Sequence, residues 1–119
     1  MRESETFQFE LGRISAGARA ALAFHRAQTA GHWDHALAGT LKGEGLLIDG
    51  MQFAVWIVTT CVGVADGCFT LGGSSALYES SPLQRRLRDL HVAAQHAIAQ
   101  HRQYANVGKV MLQRSADKA

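Results

Sequence analysis

An all-α fold, a bundle of long helices running up and down, follows from three observations on the sequence. The apolar residues, 47% of a 119-residue chain, are mostly Ala, Leu and Val, without sustained alternation of apolar and polar positions. Pro82 is the sole proline. Three stretches are apolar either along one helical face or nearly all round, and glycine-rich or serine–proline breaks divide them. They predict helices over about 7–39, 45–77 and 82–113 within one helical domain spanning 1–119.

In the first stretch Leu11, Ile14, Ala18, Ala21, Leu22 and Trp33 fall close to a 3.6-residue period, and Arg13, Arg19 and Arg26 lie on other faces. Gly39 and the loop TLKGEG supply the conformational freedom expected where a helix ends and the chain turns. The second stretch is apolar on nearly every side, so in a soluble protein it should be a helix enclosed by neighbours. Its β-branched run at 55–60 suits a strand, but the segment is far too long for one. Gly72 and Gly73 should close this helix. Ser80 and Ser81 are N-cap candidates before Pro82, and Leu83, Leu87, Leu90, Ala94, Ala97 and Ile98 line one side of the third helix.

Three helices, one of them apolar all round, cannot cover one another. A four-helix bundle would, completed either by a helix outside this chain or by a symmetry-related copy, and an oligomer is the expectation. Cys61 and Cys68, seven residues apart on one helix, are separated by about 10 Å, which excludes a disulfide between them.

The net charge of +2 is too mild to indicate a nucleic-acid partner, and the Arg85–Arg88 cluster lacks interleaved aromatics. The opening MRESETFQFE is polar and acidic rather than a secretory leader, so a cytoplasmic location is expected. The most membrane-like window, 51–65, is shorter than the ~20 residues of a span, so no membrane is expected.

The order of elements, with Trp33 and Gly39 closing the first helix, LGGSSALYESSPLQRRLRDLHVAAQH following the second, and a final GKVML, resembles the C-terminal helical domain of the acyl-CoA dehydrogenase superfamily. It is most similar to the branch of two-component flavin monooxygenases. The resemblance covers nearly the whole chain, and 71–96 is its specific part. It implies that these are three helices of a four-helix bundle, that the first bundle helix and two upstream domains lie outside this sequence, and that the chain is incomplete as a catalyst. It further implies flavin, FAD or FMN, as cofactor, not necessarily retained by this chain alone. A reductase partner and a homo-oligomer, dimer or tetramer, are implied for the full enzyme. An oligomerisation module without catalysis, or a truncated remnant, is the alternative, as is a fragment of an acyl-CoA dehydrogenase.

Within that resemblance Gly72 and Gly73 match a glycine pair whose backbone approaches the flavin nucleotide; read without it, they cap a helix. Arg85, Arg88 and Asp89 match an R-x-x-R-D motif. Guanidiniums in a first helical turn oppose the helix dipole, which phosphate or ion pairs with Glu79, Asp89 or another subunit would offset. His96 stands where the monooxygenases place a histidine beside the reactive flavin edge, and an imidazole suits proton transfer near neutral pH. The alternative is a satisfied core histidine. Residues 90–116 hold no Asp or Glu, which argues against the dehydrogenase type that uses a glutamate base on this segment.

His91, His96 and His101 recur every five residues and point to three faces, so they form no common metal site. His25, His32 and His35 share an arc beside Asp34, but without a supporting ligand motif no metal is expected there. The serines at 74, 75, 80 and 81 show no nucleophile-elbow pattern.

Overall fold

The computed structural model describes residues 4–73, 82–96 and 100–118. Their secondary structure is helical throughout: α1 (Glu5–Ala38), α2 (Glu44–Leu71), α3 (Pro82–Ala93) and α4 (Gln103–Lys118). Ser4 starts α1, its side-chain oxygen accepting the Phe7 N–H at 3.1 Å, a cap that sequence reading missed. Glu10 and Arg13 pair one turn on at 2.6 Å, and that hydrogen bond holds the guanidinium above its ordinary pKa. Gly39 ends the helix in the left-handed region, φ 74°, and the N–H of Thr40 returns to the His35 carbonyl at 2.9 Å. The chain then reverses into α2.

All three other helices pack on α2. Along the α1 seam, Phe24 sits 5.2 Å from Phe53 and 5.3 Å from Trp56 between ring centroids, an aromatic cluster joining the two helices. Nearer the open end of the hairpin Gly67 lets Ile14 approach so closely that a Cβ there would lie 2.6 Å from its Cδ1. On another side α3 and α4 run antiparallel to α2, one after the other. His91 of α3 reaches Asp66, His101 reaches Thr59, and Gly45 lies against Arg114 of α4.

The single helix expected over 82–113 is therefore two. The course along α2 is the expected one, but α3 stops at Ala93 and α4 starts at Gln103, with turns between. From His91 to His101 the chain spends ten residues passing the seven of α2 between Asp66 and Thr59. No Gly or Pro falls between 94 and 102, so the break had no local signal. The expected caps Ser80 and Ser81, and the core candidates Ala97 and Ile98, lie outside the described residues.

Within this chain α2 is incompletely covered, as the shortage of neighbours in the sequence implies: among its described residues Ile48 and Val55 are buried, and most of the others are half-exposed. The core of the described residues adds Ile14 and Ala21 from α1 and Val107 from α4. The chain is a rod, 55 × 28 × 28 Å, with a radius of gyration of 18.0 Å against about 13.5 Å for a compact chain of this length. Its accessible surface is 8722 Å², whereas a compact monomer of 12.9 kDa exposes about 6,300 Å².

A second correction concerns the membrane-like stretch: it is not limited to 51–65, because Gly45–Leu71, whose most apolar part has a mean hydropathy of 1.6, is long and apolar enough to cross a membrane by length and composition. Only 6% of its most apolar window is buried, so α2 is neither the enclosed core helix nor excluded from a membrane by its size.

Candidate functional site

The motif residues gather at the end where α2 finishes and α3 begins. Gly72 caps α2 in a right-handed conformation, its N–H bound to the Cys68 carbonyl at 2.9 Å. Its amide thus serves the helix. Gly73, at φ 62°, adopts the conformation that requires glycine.

On α3 the arginines divide by face. Arg85, Arg88 and Val92 follow one exposed stripe, with Val92 69% exposed. Arg86 turns the other way, with Leu83 and Leu90, toward a hollow shared with α1 and α2. Among the described residues none of the three arginines forms an ion pair, and Asp89, the partner nearest in sequence, is exposed and takes none of them. Glu79 lies outside the described residues. Among the described residues three cations at the start of a helix thus stand without an ion-pair partner, and the helix dipole adds to their attraction for an anion.

His96 is not on the helix. It sits in the turn after α3, exposed, its N–H bonded to the Ala93 carbonyl at 3.1 Å. The two histidines that sequence reading set aside are the ones brought onto α2. His91 Nε2–H donates to Asp66 Oδ1 at 3.1 Å, and His101 Nε2 meets Thr59 Oγ1 at 2.9 Å. Their spacing from Leu87 and Leu90 could have shown His91 flanking the packed face; nothing local marks His101.

The histidines of α1 are used otherwise. His32 Nδ1–H donates to the Gln28 carbonyl at 2.8 Å, His35 pairs with Thr40 Oγ1 at 2.7 Å, and His25 leans on Phe53. Among the described residues no three His, Cys, Asp or Glu side chains converge as metal ligands. Cys61 and Cys68 are free thiols.

The best-formed hollow, about 460 Å³, lies along α2 between α1 and α3. Its lining is apolar, including Leu22, Ile57, Val64 and both cysteines, with His25 and Arg86 its titratable members besides the thiols.

Comparison with known proteins places this arrangement. The family model described as acyl-CoA dehydrogenase, C-terminal domain, matches residues 1–101. Among solved structures, the 3-HSA hydroxylase from Rhodococcus sp. RHA1 has the same fold over 94% of this chain, with a TM-score of 0.74 and 22% sequence identity. The chain spans 30% of the length of that protein. No curated protein matches in sequence.

Proposed function

The chain belongs to the family of the acyl-CoA dehydrogenase C-terminal domain, and from that premise we propose that it is the helical bundle of a flavin-dependent oxidoreductase. Its closest type is a two-component monooxygenase supplied with reduced flavin by a reductase, working as a cytoplasmic homo-oligomer. One observation carries the reading: Arg85 and Arg88, in R-x-x-R-D register, are unpaired among the described residues at the start of α3 in a chain of this family. Their guanidiniums offer the planar, forked donors that a nucleotide phosphate accepts. Gly73, and Gly72 by lacking a side chain rather than by donating its N–H, leave backbone open to close approach. His96, exposed in its turn, would hold or move a proton at a ring nitrogen beside the reacting edge. FAD or FMN, once bound, supplies the redox chemistry; this chain supplies charge, shape and one proton-handling group.

The test is flavin retention. Supplied with N-terminal helical and middle β domains of the family, the chain is expected to hold FAD or FMN at micromolar concentration. The double change Arg85→Ala and Arg88→Ala should weaken binding roughly ten- to a hundredfold. A complete assembly that holds no flavin overturns the reading.

The large exposed surface favours a second reading, a helical module for oligomerisation alone. A tight dimer or tetramer that lacks flavin even when the other domains are present would establish it. The dehydrogenase alternative has against it the absence of any Asp or Glu over 90–116.

A further inference from the structure

We propose that His91 and His101 are positioning residues for His96: each is bonded to α2, and between them they hold the turn that carries it. The proposal rests on the reading of His96 as the proton-handling group, but its test uses this chain alone, without flavin.

The two anchors share one side of α2. His91 Nε2 lies 3.1 Å from Asp66 Oδ1, and His101 Nε2 lies 2.9 Å from Thr59 Oγ1. Asp66 and Thr59 are seven residues apart, which on a helix is two turns, about 10.5 Å of rise and about 20° of rotation. Both bridges therefore leave α2 in nearly the same direction. His96 stands midway, five residues from each bonded histidine. An unbroken helix from His91 to His101 would rise about 15 Å, so anchors about 10.5 Å apart suit a shortened path with His96 in a turn.

Each bridge is tied into the backbone beside it. Just after His91 the N–H groups of Gln95 and His96 return to the Val92 and Ala93 carbonyls, both at 3.1 Å, tightening the end of α3. At His101 the carbonyl accepts the Tyr104 N–H at 3.0 Å, and the Tyr104 ring lies 5.9 Å from the imidazole. A displacement of either histidine would thus be passed along the chain toward His96. An exposed turn between two short helices has few apolar contacts to fix it, which leaves that task to such bonds.

The partners also suit a place where protons move. A carboxylate accepts from His91 Nε2–H whether the ring is neutral or protonated. A threonine hydroxyl both donates and accepts, so Thr59 can hold His101 Nε2 in either state. Neither bridge has to break when a proton is exchanged nearby.

Backbone ¹⁵N relaxation of the 119-residue chain tests the hold on His96. Thr59→Val removes the hydroxyl at nearly constant shape and His91→Leu removes the other bridge; both residues are exposed, so neither change opens the core. The His96 amide is expected to show an order parameter of about 0.8 in the unaltered chain and below about 0.6 in either variant. Thr59→Ser and His91→Gln, which keep a hydroxyl and an N–H donor, should restore most of the difference. Val107→Ala, which trims the buried contact of α4, should loosen α4 without that fall at His96. A His96 amide already mobile in the unaltered chain overturns the proposal, as does one that stays rigid when both bridges are cut, or one that Val107→Ala loosens equally. A complete assembly that binds no flavin would instead defeat the reading of His96 and leave these values unchanged.

Discussion

The α1–α2 hairpin and the α3–α4 arm are built on the same helix by different means. The hairpin seam is close-packed: Phe24 against Phe53 and Trp56, Ile14 against a glycine, both ends of α1 capped. The described residues of the arm rest on half-buried leucines, two exposed polar bridges and one buried residue, Val107. Burial of apolar area and close packing contribute several times what an exposed hydrogen-bonded pair does. The hairpin is therefore the stable unit, and the arm depends on what else covers α2.

Two neighbouring residues of α2 put that difference to the test. Gly67 faces the seam, where Gly67→Val would drive a side chain into Ile14, itself 6% exposed. Overpacking there should cost about 1–3 kcal/mol and lower the midpoint of thermal unfolding of the whole chain. Asp66 faces the arm and is about half exposed. Asp66→Asn should cost no more than about 0.5 kcal/mol, leave the midpoint nearly unchanged, and speed amide exchange in α3 while α1 keeps its protection. Equal effects of the two substitutions would erase the distinction.

The sequence was readable where structure is decided locally. The period of Leu11, Ile14, Ala18 and Ala21 and the Gly39 turn located α1 and the hairpin within two residues. The break between α3 and α4 was not readable, because no Gly or Pro marks it. The same break moved His96 off a helix and into a turn. The R-x-x-R-D arginines were legible as a motif, but that they take no ion-pair partner among the described residues is a fact of three dimensions: Asp89 is adjacent in sequence and still takes none of them. The all-apolar character of α2 correctly announced a helix needing cover on every side; the structure adds which side goes without.

That uncovered side is the centre of the account, and Cys61 and Cys68 lie on it. Their rate of alkylation in the dilute, folded chain is the direct measurement. If the face is open, both thiols should react at a rate within roughly tenfold of those in the urea-unfolded chain. If the chain already encloses α2, both should be protected by roughly a hundredfold or more, and the open groove along α2 would have to be abandoned.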